Sequence, residues 1–450
     1  RRAAGRASQA QCRARHTPKS ARSCAGCCLL PLSLFLTLPL ARARRPRHKQ
    51  LRPRYDAFMN RVITGLEILA AEPDVLKGRR WALLANHAAV DSTLEPARSV
   101  LGRAAGAPHL LFAPEHGLEG VAQDMEAVGD ETDPLTGATV RSLYGHTDET
   151  LRPRPADLDG IDVLVVDLPD IGSRYYTFAA TMDAVMAGCF AAGVEVFVLD
   201  RPNPINGVTR EGGPVVPGCE SFVSQIPTPV RHGLTLGETA LLLQRDRYPE
   251  LALGVLTCRG WSRGQWWDET GLPWVPPSPN MPSLETAAIY PGLCLVEATN
   301  LSEGRGTTRP FHQVGAPWAD AETTATSLRA LGLPGIAFRA ARFRPQFGKH
   351  RHLICNGVEL HVSDRGALEP LALGLHILKI FHDLYPGVFD WRSEPYEFVS
   401  EIPALDLLTG SPEARRSIEA GAPLEPLHEQ WKIWIATFEA GLDDILLYRR

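Results

Sequence analysis

From Leu66 onward the chain alternates short apolar runs with segments of helical period. RWALLANHA (80–88) and HLLFAPE (109–115) predict strands, and DSTLEPARSVLGRA (91–104) between them predicts a helix capped by Asp91 or Ser92. IDVLVVDLPD (161–170) and VEVFVLDRPNP (194–204) are continuous β-branched runs, the pattern of strands buried on both faces. They flank TFAATMDAVMAGCFAAG (177–193), a helix ended by glycine. TLGETALLLQRD (235–246) and LALGVLTC (251–258) continue as helix and strand. This alternation implies a right-handed parallel sheet with helices on both sides, an α/β, Rossmann-like architecture. A loop rich in Trp and Pro (260–283) follows, too rich in both to be a linker, and suggests a rigid wall. Beyond about residue 315 the pattern turns α+β, with a helix at 320–331, strands near 335–344 and 353–363, and helices at 367–384 and 425–442. The expected domains are a Rossmann-like catalytic domain, 59–315, and a smaller α+β C-terminal domain, 316–450.

The formal charge of −4 conceals a split. Residues 1–54 hold 12 Arg and 2 Lys with no acid, which leaves 33 basic against 51 acidic side chains in the rest. An acidic body argues against non-specific nucleic-acid binding, which draws its affinity from cations on phosphates. Residues 24–41 are a long apolar run broken by Pro31 and Pro39, closer to a signal-peptide core than to a membrane span. Residues 1–58 are an unmatched basic tail with two main readings. Upstream sequence before a start near Met59 is preferred and implies a cytoplasmic protein. A signal peptide over 1–43 implies a secreted or periplasmic one. No stable membrane insertion of the body is expected. Four cysteines lie in the tail, and the other five (Cys189, Cys219, Cys258, Cys294, Cys355) are far apart and odd in number. That spacing argues against a disulfide framework or zinc site and for cysteines packed as small hydrophobes.

Ligands of open α/β sheets bind at the carboxyl ends of the strands, and the polar residues gather there. One strand end carries Glu115 and His116; the next carries Asp167, Asp170, Arg174, Tyr175 and Tyr176; a third carries Asp200, Arg201 and Asn203. The loop 276–283 presents Asn280 from proline-stiffened backbone, and 299–311 groups Asn300, Glu303, Arg305 and Arg309 around two glycines. Paired arginines recognise carboxylates or phosphates, although solvated charges on a surface turn give the same pattern. No dinucleotide or P-loop glycine motif and no H-E-x-x-H is present, so no cofactor and no metal are expected. What remains is carboxylate chemistry beside aromatics, the equipment that splits glycosidic bonds.

Against that background the chain resembles the NamZ-type exo-β-N-acetylmuramidases, a glycoside hydrolase family formerly known as a domain of unknown function. The resemblance rests on FAPEHGLEG (112–120), DPLTGATVRSLYG (133–145), IDVLVVDLPDIGSRYYTF (161–178) and LDRPNPING (199–207). RHGLTLGETA (231–240), WVPPSPNMP (274–282), YPGLCLVEATNLSEGRGTTRPF (290–311) and GAPW (315–318) extend it in the family's order. It covers roughly residues 62–450. Pro169 stands where the family usually has glutamine, which alters one hydrogen-bond donor but keeps Asp170 and Arg174.

The resemblance implies removal of terminal N-acetylmuramic acid from muropeptides or the disaccharide with N-acetylglucosamine, in cell-wall turnover or recycling. It makes Glu115 the main catalytic candidate, as general acid. Asp170 or Glu303 would orient the 2-acetamido group, and Arg174, Arg305 and Arg309 compete for the lactyl carboxylate. His116, Tyr175, Tyr176, Asn203, Asn280 and Asn300 complete the expected binding set. A catalytically silent muropeptide-binding protein on the same scaffold is the alternative.

Overall fold

Seven strands form the first sheet: β1 (Trp81–Ala85), β2 (Leu110–Ala113), β3 (Glu131–Thr132), β4 (Thr139–Ser142), β5 (Val163–Asp167), β6 (Glu195–Leu199) and β7 (Leu253–Leu256). They are taken from a computed structural model that describes residues 61–449. The basic tail and its four cysteines lie outside the described residues. Strand order is β3-β4-β2-β1-β5-β6-β7, and every neighbouring pair is parallel except β3 with β4. The chain therefore winds outward from β1 in one direction and from β5 in the other. The crevice at such a reversal is where open α/β sheets bind ligands.

The strand composition explains the layers. Successive side chains of a strand face opposite ways. In β5, Leu164 and Val166 join one core and Val163 and Val165 the other; in β1, Ala82 and Leu84 oppose Trp81, Leu83 and Ala85. Both strands are buried along their whole length, as their unbroken apolar runs require. Helix Phe178–Ala192 ends at Gly193 in the left-handed conformation, and helix Leu236–Arg247 begins with a capping box between Thr235 and Glu238. The helix expected over 91–104 starts later, at Ala97. Pro96 restricts the residue before it to extended backbone, and the Asp91 carboxylate accepts from the backbone of Thr93 and Glu95 in a turn instead.

A second sheet, β8 (Gln313–Ala316), β9 (Ile336–Phe343) and β10 (Cys355–Val362), is antiparallel in the order β8-β10-β9. Two helices connect it to the first half: Leu284–Leu293, which the sequence pattern did not reveal, and Pro370–Leu384. They cross at Gly292 and Gly374, and a Cβ on Gly292 would overlap the carbonyl of Pro370. Gly292→Ala is therefore expected to destabilise the fold by at least about 1–3 kcal/mol, the usual cost of overpacking, read as a lower urea midpoint. The five described cysteines are buried free thiols, and among the described residues no helix is long and apolar enough to cross a membrane.

Candidate active site

The site is assembled from the loops that leave β1, β2 and β5, closed by two segments of the C-terminal half. After β1, Asn86 donates to the carbonyl of Pro277 at 2.9 Å and His87 contacts that of Pro276 at 2.8 Å. These contacts clamp the Trp/Pro loop against the sheet and bring Asn280 into the cavity wall. After β2, His116 and Gly117 both have left-handed backbone (φ 72° and 79°) and reverse the chain directly behind Glu115. The Glu115 carboxylate then accepts the Met125 N–H at 3.1 Å and the Thr177 hydroxyl at 2.7 Å. His116 Nδ1 lies 2.9 Å from the carbonyl of Ala122 and so holds the far side of this loop.

After β5, Tyr175 and Tyr176 enter the same cavity. Tyr175 donates to the carbonyl of Pro291, whereas the buried Tyr176 hydroxyl, beside Ser278, makes no hydrogen bond of normal geometry among the described residues. An unpaired hydroxyl facing a cavity is positioned to bond a ligand.

The C-terminal half supplies the opposite wall. Glu297 receives Arg305 at 2.6 Å and the Tyr396 hydroxyl at 2.8 Å. Arg305 also lies 3.1 Å from Asp124 and 3.5 Å from Glu303, and its guanidinium sits 4.8 Å above the Phe311 ring. Burial pushes Glu297 upward despite Arg305. For Glu303 burial also opposes ionisation, but Lys349 at 2.9 Å and Arg305 outweigh it and hold its carboxyl below the usual range.

Glu397 faces Glu115 across the cavity and accepts the Tyr144 hydroxyl at 2.8 Å. Burial, then the charge of Glu115, pushes its carboxyl well above the usual range. It sits at the tip of a two-residue hairpin turn closed by Tyr396 and Val399, whose backbones exchange hydrogen bonds of 2.9 and 3.0 Å. Both central residues, Glu397 (φ 44°) and Phe398 (φ 68°), are left-handed, where such turns normally carry Asn-Gly. That conformation costs on the order of 1–3 kcal/mol per residue, and it concentrates at working sites.

The cavity thus gathers Glu115, His116, Tyr175, Tyr176, Asn280 and Arg305 from the expected set. The other six expected residues stand elsewhere. Arg174 is fully buried and donates to the carbonyls of Gly213, Thr228 and Leu408 at 2.8–3.0 Å. Asn203 folds its own loop through Leu234 and Ile205, and Asn300 ties to Val388 and Asp390. Arg309 lies 3.3 Å from Glu359 on the second sheet, and Glu303 stands behind Arg305. Asp170 accepts the Gly172 N–H, lies 3.5 Å from His232 and lines a separate small cavity with Trp267 and Trp274. Asp167 and Arg201, also at strand ends, pair with each other in the core, and Asp200 accepts from Thr235, Gly237 and Tyr448.

Sequence reasoning missed Asp124, Glu297, Tyr396 and Glu397. Glu297 lies inside an apolar helical run, an acid among hydrophobes that was itself a signal. Glu397 sits in Pro-Tyr-Glu-Phe, an aromatic pair around an acid within an otherwise polar segment.

Two family models tile the chain. The N-terminal part of the exo-beta-N-acetylmuramidase NamZ matches residues 81–285, and the C-terminal part matches 288–448. This chain belongs to the NamZ exo-beta-N-acetylmuramidase family. It is 39% identical over 427 residues to the peptidoglycan beta-N-acetylmuramidase NamZ of Bacillus subtilis, covering 93% of this chain and 98% of that protein. Two solved DUF1343 family proteins of Bacteroides fragilis share the NamZ-family fold seen here. One has a TM-score of 0.78 at 32% identity, covering 87% of this chain and 100% of that one. The other has 0.66 at 27%, covering 86% and 99%.

Proposed function

We propose that this NamZ-family glycoside hydrolase releases terminal β-linked N-acetylmuramic acid from the non-reducing end of peptidoglycan fragments, with Glu115 as a catalytic carboxylate. The observation that carries the assignment of Glu115 is its position. It stands at the carboxyl end of β2 beside the sheet's reversal point, in a cavity that also holds the unpaired Tyr176 hydroxyl and Arg305. Splitting a glycosidic bond needs a proton for the leaving oxygen and a carboxylate to assist attack at the anomeric carbon. Both oxygens of Glu115 accept hydrogen bonds, which fixes the carboxylate's orientation and suits it to assist that attack or orient the 2-acetamido group.

Of the three arginines expected to compete for the lactyl carboxylate, Arg305 alone lines this cavity. The aromatic rings of Tyr175, Tyr176 and Tyr290 form an edge-to-face cluster that offers the sugar an apolar surface. The free space inside is about 30 Å³, room for about one water, so a sugar ring enters only if a wall moves.

The expected result is release of 4-nitrophenol from the β-N-acetylmuramide and not from the glucosaminide that lacks the lactyl ether. Equal turnover of both would remove Arg305 and the lactyl group from the account. Saturable binding of the muramide by calorimetry without product would make the protein a binder.

A further inference from the structure

Beside the active cavity runs an open groove of about 600 Å³, lined among others by Arg152, Asp183, Glu220, Phe222 and Tyr248. Its volume falls in the range of ordinary small-molecule sites. The groove and the active cavity share one lining residue, Glu397. The turn that carries it forms the partition, with Tyr396 on the cavity side and Phe398 and Val399 on the groove side. Phe398 packs edge-on against Tyr144, with ring centroids 5.6 Å apart, and Tyr144 in turn donates to Glu397. Glu397 thus lines both spaces, and its carboxyl is held by a built support through Tyr144.

A glycosidase places the terminal sugar in one space and the rest of the substrate in another. The bond to be broken crosses the boundary, and the general acid must reach its oxygen there. We propose that Glu397 is the general acid of this enzyme and that the groove holds the aglycone of the peptidoglycan fragment. The proposal rests on the muramidase reading above and divides its labour: Glu115 serves the anomeric carbon and Glu397 the leaving group. As the bond between the anomeric carbon and the glycosidic oxygen breaks, its electron pair goes to that oxygen, which takes the Glu397 proton and leaves as an alcohol. The water that ends on the anomeric carbon keeps one hydrogen in the new hydroxyl, and its other proton restores Glu397, directly or through Glu115.

The surroundings keep the proton in place. Glu115, His116, Asp124, Glu297 and Arg305 line the cavity with Glu397, while Asp148, Arg152, Asp183 and Glu220 line the groove. Burial and the charge of Glu115 favour the protonated form, against the Tyr144 hydrogen bond, which favours the ionised form.

The test compares two substrates on the full chain, the muramic acid–glucosamine disaccharide and the 4-nitrophenyl β-N-acetylmuramide. Nitrophenolate leaves without a proton, so Glu397→Gln should lose about 10²–10⁴-fold on the disaccharide and at least tenfold less on the nitrophenyl glycoside. Its kcat/KM should also lose the basic limb of the pH profile. Equal losses on both substrates, or an unchanged disaccharide rate, would overturn the proposal. Should Glu397→Gln not fold, Tyr144→Phe gives the same decision. Removing the hydroxyl that stabilises the ionised carboxyl moves the basic limb to higher pH, and an unmoved limb contradicts the role. A wild-type enzyme that splits neither substrate refutes the muramidase reading itself, whereas normal wild-type turnover with equal losses in Glu397→Gln refutes only the acid.

Discussion

Glu115→Gln is expected to lower turnover of both the disaccharide and the nitrophenyl muramide by about 10²–10⁴-fold, with the fold intact. Glutamine keeps the length and planarity of the side chain. Its carbonyl oxygen can still accept the Met125 N–H, and its amide can donate to the Thr177 hydroxyl, which accepts as readily as it donates. The melting temperature should therefore stay within a few degrees of the parent. What disappears is a group able to carry negative charge or exchange a proton beside the anomeric carbon. The loss extends to the activated substrate because a better leaving group dispenses with the proton on the leaving oxygen and not with the carboxylate that assists at the anomeric carbon. This separates Glu115→Gln from Glu397→Gln, whose defect depends on the aglycone. Full activity of Glu115→Gln on either substrate would remove Glu115 from the chemistry.

Arg305→Met is expected to have the largest effect on stability, about 3–5 kcal/mol at neutral pH, measured by urea denaturation. Methionine fills similar space but leaves Glu297 and Glu303 buried without their shared cation, while Lys349 still reaches Glu303 alone. The cost is the uncompensated charge, more than the loss of the contact over Phe311. The pH dependence follows from the same groups. In the parent, the Glu303 carboxyl is held below its ordinary value, so its contribution is present above the carboxylate range and is lost as pH falls. In the variant, protonation of the two glutamates relieves the buried charge. The deficit of Arg305→Met should therefore narrow as pH is lowered toward the carboxylate range. A deficit below about 1 kcal/mol at neutral pH would show that the cluster is solvated rather than buried.

Much of the fold was legible because the central strands β1, β2 and β5 are buried on both faces and leave no choice of face, whereas β6, also read as doubly buried, is only half-buried at Glu195 and Phe197. The residues immediately after β2 and β5 were legible as lining a candidate site because strand ends in a wound sheet point into the crevice. The limits of that logic are equally physical. Arg174 and Tyr175 are neighbours in one loop, yet Arg174 is directed into a nest of carbonyls and only Tyr175 reaches the cavity. Nothing in the loop's composition distinguishes the two. Helix Leu284–Leu293 was missed because it is apolar on nearly every side and contains Pro291 and Gly292, which read as breakers. That helix crosses Pro370–Leu384 at the glycine pair and so joins the two halves that meet at the cavity. Glu397 follows from this tertiary contact and from a strained turn, neither of which has a period or a spacing to read. The segment between the helices expected at 367–384 and 425–442 thus supplies half of the proposed catalytic pair.

The most direct test is a product-resolved digestion of the disaccharide in which N-acetylmuramic acid is β-linked to N-acetylglucosamine, followed by chromatography with mass detection. The account predicts equimolar free N-acetylmuramic acid and N-acetylglucosamine from the parent protein and at least about a hundredfold slower release of both from Glu115→Gln. Intact disaccharide after prolonged incubation with the folded parent, or equal product from Glu115→Gln, would contradict it.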